Sequence, residues 1–266
     1  MTLLALLVLA HAGTDSAEQA QLVNLVNGYR QAHGVETMTI NEPLCRLAEG
    51  HAGFMFTNQI LTHEESPEKK GFTGARLADR AKLIGWKDEC SELVGYANTG
   101  LADSVQAIFD SPCHRVRFLK PGKLSLGAAA QGEFVCLLVG GEASKAVVVS
   151  PADGATNVPV RWHGSTDYSG TRTGLGSKLF GYPLVFIDTN AGDRPFEAQK
   201  AELNDENGAP VEIELRSPKN DQHYDTALTM IPEQPLKKGT RYTAHVVVKL
   251  ADGKVEDKTW SFSTDN

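Results

Sequence analysis

Three side chains in the N-terminal half have the types from which chemistry is built. His63 stands in Leu61-Thr62-His63-Glu64, Glu92 in Cys90-Ser91-Glu92-Leu93, and His114 in Ser111-Pro112-Cys113-His114-Arg115. Two imidazoles and a carboxylate can hold a divalent metal, with water in the remaining position. His63 and His114 would then be the metal ligands, with Glu92 as ligand or base. Without a metal the same groups can serve as acid, base and orienting partner. His51 lies on an apolar helix stripe and reads as a hydrogen-bonded core residue instead. Glu64, Glu65 and Glu68 stand among Lys69 and Lys70 and read as a solvated loop. Cys113 sits beside His114, but adjacent residues on an irregular segment rarely face each other, so a thiol nucleophile is not expected.

The elements that must place these groups show in the periodicity. Ser16 and Gln19 read as a capping box ahead of Leu22, Leu25, Val26 and Tyr29 at helical spacing. Asn41 caps a second helix with Pro43 in its first turn and an apolar stripe of Leu44, Leu47, Ala48, Ala52 and Met55. A third helix is predicted from about Thr73 to Ile84, stopped by Gly85, and a fourth from about Ala102 to Phe109, ended by Pro112. His63 and His114 then fall just past the second and fourth helices, at element edges where functional side chains are often displayed. Leu124 to Ala130 and Glu133 to Val139 read as two strands joined at Gln131-Gly132. Helices followed by a hairpin fit an α/β or α+β module, and α+β is the class expected here.

Gly140-Gly141 and the polar residues after them read as a linker, and from about Lys145 the period changes. Val211, Ile213 and Leu215 alternate with Glu212, Glu214 and Arg216. Tyr242, Ala244, Val246, Val248 and Leu250 share one strand face, and Trp260 and Phe262 share another. Asp153-Gly154, Asn207-Gly208 and Asp252-Gly253 mark turns. Short strands at this spacing predict an all-β, immunoglobulin-like sandwich, with Trp162 and Trp260 in its core.

The chain has 266 residues, 41% hydrophobic and 22% charged, which is globular rather than disordered composition. A net charge of -7 without a long basic run argues against nucleic-acid or anionic-membrane partners. Leu3 to Leu9 is a short apolar run, and Ala10-His11-Ala12 follows the small-x-small cleavage pattern. Residues 1–12 thus read as a signal peptide with a truncated start, because no Lys or Arg precedes Arg30. The run is too short to span a bilayer. Four cysteines, Cys45, Cys90, Cys113 and Cys136, all lie in the first half. An even number in an exported chain predicts two disulfides, with three pairings open.

An ordered set of segments resembles the CAP superfamily (cysteine-rich secretory proteins, antigen 5 and pathogenesis-related proteins; SCP/TAPS), with its bacterial secreted branch the most similar. The segments are Leu22 to Arg30 (LVNLVNGYR), Asn41 to Met55 (NEPLCRLAEGHAGFM), Leu61-Thr62-His63, Arg80 to Trp86 (RAKLIGW), Ser91-Glu92 and Ser111 to Leu119 (SPCHRVRFL), with Gly127 and the hairpin following. The resemblance covers about residues 16–142. It implies an α-β-α sandwich with an open cleft lined by His63, Glu92 and His114, and with an association to divalent metal, often zinc. Ser91-Glu92-Leu93 stands where the family carries Gly-Glu-Asn, and Cys113 where it carries glycine. Asp110 and Glu65 are the candidates for a second cleft carboxylate. Residues 146–266 resemble the small immunoglobulin-like domain that follows some bacterial CAP modules, through Ser150 to Ala155, Gly181 to Leu184, Ile231 to Leu236, Gly239 to Tyr242 and Trp260 to Thr264.

The leading expectation is a secreted, non-enzymatic binding protein. Its cleft takes an extracellular ligand (lipid, peptide or glycan) or metal, and its sandwich is an accessory or adhesion domain. Two alternatives stand beside it: a zinc-assisted hydrolase using His63, His114 and Glu92, and a structural protein of the cell envelope or spore coat.

Overall fold

The computed structural model describes residues 15–163, 178–190, 192, 194–221 and 223–266. The proposed signal peptide lies outside the described residues. The N-terminal half runs α1 (Ser16–Ala32), β1 (Thr39–Ile40), α2 (Glu42–Asn58), α3 (Leu77–Leu83), β2 (Cys90–Tyr96), α4 (Leu101–Asp110), α5 (Pro112–Leu119), β3 (Ser125–Gln131) and β4 (Phe134–Gly140). Its four strands pair in the order β1-β3-β4-β2, so β2 is an outer strand.

Strand alternation decides which helix covers which face. Leu126, Ala128 and Ala130 of β3 and Val135, Leu137 and Val139 of β4 pack with α1, α4 and α5. Ala129 of β3, with Phe134, Cys136 and Leu138 of β4, packs with α2 and Ala81 of α3. Both faces are therefore covered, giving three layers. Asn41 caps α2 as expected, its side chain accepting from Leu44 N at 3.1 Å. At α1 the cap is Asp15, one residue earlier than the capping-box reading, and its carboxylate accepts from Ala17 N. The third helix starts at Leu77 rather than Thr73, because Thr73 N donates to Glu65 instead of joining a helical ladder. Pro112 ends α4 and also opens α5 as a first-turn proline, so His114 lies within a helix and not past one.

Gly127 is the tightest point between sheet and helix. A Cβ there would lie 2.4 Å from the carbonyl carbon and oxygen of Leu44. Gly127→Ala is expected to cost about 1–3 kcal/mol, the usual range for overpacking a closed core. A urea midpoint unchanged from the parent would contradict this packing.

The C-terminal half forms two four-stranded sheets. One holds β5 (Val147–Ser150), β9 (Leu184–Asp188), β11 (Ile213–Arg216) and β12 (Ala227–Pro232); the other holds β6 (Ala155–Val158), β10 (Glu197–Asp205), β13 (Arg241–Lys249) and β14 (Val255–Thr264). Two short strands, β7 (Trp162–His163) and β8 (Leu179–Phe180), pair with each other. Tyr242, Ala244, Val246, Val248, Trp260 and Phe262 share one buried cluster with Leu184, Phe186, Leu228 and Met230. Trp162 and Trp260 are buried there, as the sequence led us to expect.

The glycine pair read as a linker does not separate two cores. Gly140 belongs to β4, where a Cβ would meet the Trp86 ring at 2.5 Å. Val148, Val185, Ile187, Tyr224 and Ala227 of the C-terminal half join the same apolar cluster as α4 and α5. Strand β9 is buried on both faces, with Leu184 and Phe186 turned one way and Val185 and Ile187 the other. Arg115, fully buried, crosses this seam. Its Nε and two terminal nitrogens donate to the carbonyls of Phe109 (3.0 Å), Pro183 (2.7 Å) and Asp110 (3.3 Å). The guanidinium also lies 4.4 Å from the Tyr182 ring centroid and 5.1 Å from that of Phe109. The Tyr182 hydroxyl donates to Asp110 Oδ1 at 2.7 Å. His33 Nδ1 donates to the carbonyl of Tyr29, so in the neutral ring Nε2 accepts from the Ser150 hydroxyl at 3.1 Å across the seam.

The disulfide expectation is corrected: no disulfide joins any two of Cys45, Cys90, Cys113 and Cys136. Cys90 sits opposite Gly140, four residues along β4 from Cys136. That offset is roughly 13 Å of strand, beyond the about 7 Å of Cα separation that a disulfide tolerates. Cys113 packs on the opposite face of the sheet, against the α4 and α5 side, and its thiol lies 3.3 Å from the Tyr224 hydroxyl. Cys45 points its thiol at the Leu126 carbonyl.

Candidate functional site

The site is built on β2 and the segment after α2. Alternation turns Glu92 toward the α2 and α3 layer, where its side chain is only 3% exposed. His63 Nδ1 donates to Glu92 Oε1 at 2.9 Å, and its own side chain is 32% exposed. A carboxylate only accepts, so the proton of a neutral His63 resides on Nδ1. His63 is therefore the solvent-facing member, held in one tautomer by a buried acid.

Three residues outside the expected trio hold that acid. Arg80 of α3, fully buried, donates to Glu92 Oε2 at 2.5 Å. It also donates to the carbonyls of His63 and Gly74. His51 of α2 places Nδ1 2.8 Å from Glu65 Oε1 and Nε2 2.8 Å from the carbonyl of Thr62, with Glu92 Oε1 at 3.5 Å. Both ring nitrogens meet oxygen acceptors, an arrangement that two N–H donors satisfy. Glu65 is buried and accepts from the backbone N–H and hydroxyl of Thr73. The solvated-loop reading is thus overturned for Glu65, while Glu64 and Glu68 are exposed. His51 is the hydrogen-bonded buried residue its stripe implied. Asp110, the other candidate carboxylate, faces Tyr182 and Gln106 at the seam instead.

Burial alone would raise the Glu92 carboxyl. The His63 hydrogen bond and the charges of His51, Arg80 and His63 overcome it and hold the group below the usual carboxylate range. His114 is buried on α5 and pushed down to about 4, first by desolvation and then by the charge of His63. His63 and His114 thus sense each other, although His114 is closed to solvent.

Glu92 is not placed to ligate a metal ion directly. Both Glu92 oxygens are engaged, one by His63 and the other by the permanently charged Arg80, which lies where a cation would have to approach. Among the described residues no three His, Cys, Asp or Glu side chains converge as a metal site. The zinc set expected from the sequence, His63 and His114 with Glu92, therefore loses Glu92 as a direct ligand. A guanidinium cannot be deprotonated to make room.

The His114 environment gives stability a pH dependence. Unfolded, the imidazole takes a proton near 6.5; folded, it resists until about 4. The native state is therefore stabilised above pH 6.5 and loses that contribution as the pH falls from 6.5 to 4, by about 3 kcal/mol in all. His33, also lowered by burial, adds in the same direction. Glu92, with a depressed folded value, adds a further loss below pH 4.5. Urea midpoints measured between pH 7.5 and 4.5 should fall steeply for the parent and less steeply for His114→Gln. Parallel slopes would contradict the assignment.

Residues 23–133, which include His51, His63, Glu65, Arg80, Glu92 and His114, match the model of the cysteine-rich secretory protein family, CAP. A search of curated proteins finds no match. Among solved structures, the chain is similar to an extracellular protein containing an SCP domain from Bacillus anthracis, at 22% identity and a TM-score of 0.41, over 46% of this chain and 40% of that one. It thus spans less than half the length of that protein. It is also similar to an outer surface protein from Borrelia burgdorferi (16% identity, TM-score 0.40, 48% of this chain and 96% of that one). A third is CopC from Methylosinus trichosporium (14% identity, TM-score 0.31, 46% of this chain and 94% of that one).

Proposed function

We propose that this chain is a secreted binding protein. In this reading residues 16–142 are a CAP-type module taking an extracellular ligand at the His63–Glu92 surface, and residues 146–266 are an immunoglobulin-like accessory domain. One observation carries the reading: a partly exposed imidazole fixed in a single tautomer by a buried carboxylate that Arg80 and His51 charge-balance. Burying that many polar groups is costly, and its return is a preorganised polar contact at the surface. His63 is the ligand-contacting residue, Glu92 orients it, and Arg80, His51 and Glu65 hold Glu92. His114 is a neutral wall of the site. The hydrolase alternative has less support, because Arg80 already satisfies the carboxylate that would serve as metal ligand or base.

Equilibrium binding across lipid vesicles, capped peptides and soluble glycans tests the reading. Saturable binding of one class is expected, weakened about tenfold or more in His63→Ala, the scale of one lost charge-assisted contact. Absence of saturable binding to all three, or binding indifferent to His63, overturns it.

A further inference from the structure

The outer edge of β2 has no strand neighbour among the described residues. The register fixes which backbone groups it presents. Gly141 N donates to Glu89 O and Ala97 N donates to Glu133 O, so odd-numbered residues of β2 bond to β4. The N–H and C=O groups of Cys90 and Glu92 therefore point away from the sheet. Glu92 is half-buried as a residue although its side chain is 3% exposed, so the exposed part is its main chain. An open strand edge of this kind is a template for a further strand.

The edge does not face bulk solvent on a flat rim. A cavity of about 560 Å³ runs along Cys90 and Ser91, walled by Leu77 and Ala81 of α3 on one side and by Arg117 on the other, with Asp225 of the C-terminal half at its border. A second copy presenting its own β2 would bring its own α3 and α5 against these walls. Arg117 is half-buried; Arg76, Asp88, Glu89, Lys120 and Asp225 line the same cavity, and Glu89 is taken up by Lys120 at 3.2 Å. A guanidinium so placed favours a carboxylate partner in the cavity.

We propose that the open edge of β2 at Cys90–Glu92 takes up a short extended peptide as an added strand, with an acidic side chain of that peptide paired to Arg117. Main-chain hydrogen bonds to Cys90 and Glu92 supply the pairing, and Arg117 selects the side chain. The inference extends the ligand-binding reading to the surface beside His63 and names peptide as the ligand class. It rests on that reading only in placing the ligand near Glu92.

Capped six-residue peptides alternating valine with aspartate, threonine or lysine are the probes, used with the full chain. The aspartate peptide is expected to bind saturably and to slow amide hydrogen exchange at Glu92 by about tenfold or more, leaving the already bonded Ser91 and Leu93 unchanged. N-methylation of the peptide's pairing amides should abolish binding, and Arg117→Gln should remove the preference for aspartate over threonine. No saturable binding, binding without protection of Glu92, or equal binding of the lysine peptide overturns the proposal. Protection of Glu92 that rises with protein concentration in the absence of peptide assigns the edge to a second copy and also overturns it. Lipid or glycan binding that depends on His63, with no peptide binding, sinks this inference while leaving the proposed function standing.

Discussion

Replacing Arg115 with alanine is expected to destabilise the chain by about 3–5 kcal/mol and to split its unfolding into two transitions. The residue is fully buried and donates to three carbonyls, one of them in the C-terminal half. Removing it strands those acceptors away from water and takes the cation from between the rings of Phe109 and Tyr182. The parent chain should unfold in one step, because the α4 and α5 layer and the sheet holding β9 share a continuous apolar seam. Tryptophan separates the halves: Trp86 reports on the first, Trp162 and Trp260 on the second. In a chain with both later tryptophans changed to phenylalanine, the Trp86 signal should track global unfolding by circular dichroism. After Arg115→Ala the two should part. If they part already in the parent, the seam does not couple the halves.

Arg80→Met is expected to have an effect of similar size for a different reason. It leaves Glu92 and Glu65 buried with their shared guanidinium gone, and removing one partner from a buried ion pair typically costs about 3–5 kcal/mol. The loss should be larger at neutral pH than in acid, since protonating the carboxylates relieves the uncompensated charge. Adding Glu92→Gln to Arg80→Met should recover a substantial part of it, because the amide needs no counter-charge. A double-mutant cycle on urea midpoints measures this, and a coupling energy indistinguishable from zero would show that the two side chains do not share the burial.

What the sequence disclosed follows a physical line. One-sided elements announce themselves by period: α2 through its stripe and its Asn41 cap, β13 through the alternation of Tyr242, Ala244, Val246 and Val248. Elements buried on both sides do not. Leu184 to Ile187 in β9 and the wholly buried β12 are continuous apolar runs, whose period is erased because each face meets a different core. The same erasure hid the seam between the halves. Strand β2 escaped because Glu92 interrupts its apolar pattern, which is also why it matters.

At the site, His63 and Glu92 stood out by residue type and by family resemblance. Glu65 did so only as one of two candidates for a second cleft carboxylate, and Arg80 not at all, because a charged side chain with charged neighbours in sequence reads as solvated. Only the fold brings the charges of α2, α3, β2 and the loop between them into one buried network. The signal that could have found Arg80 was its place in the RAKLIGW segment, where an apolar helix face carries a lone guanidinium inward. The cysteines were misread because pairing requires their Cα atoms to be near neighbours, a property that spacing along the chain does not carry.

The most direct test of the account is the protonation of the His63 ring, read by long-range proton–nitrogen correlation on histidine-labelled protein at pH 7.5. The expected result is a ring proton held on Nδ1, shifting toward the other tautomer in Glu92→Gln. A neutral ring protonated on Nε2 in the parent, or a spectrum unchanged by Glu92→Gln, would contradict the claim that a buried carboxylate sets the imidazole that meets the ligand.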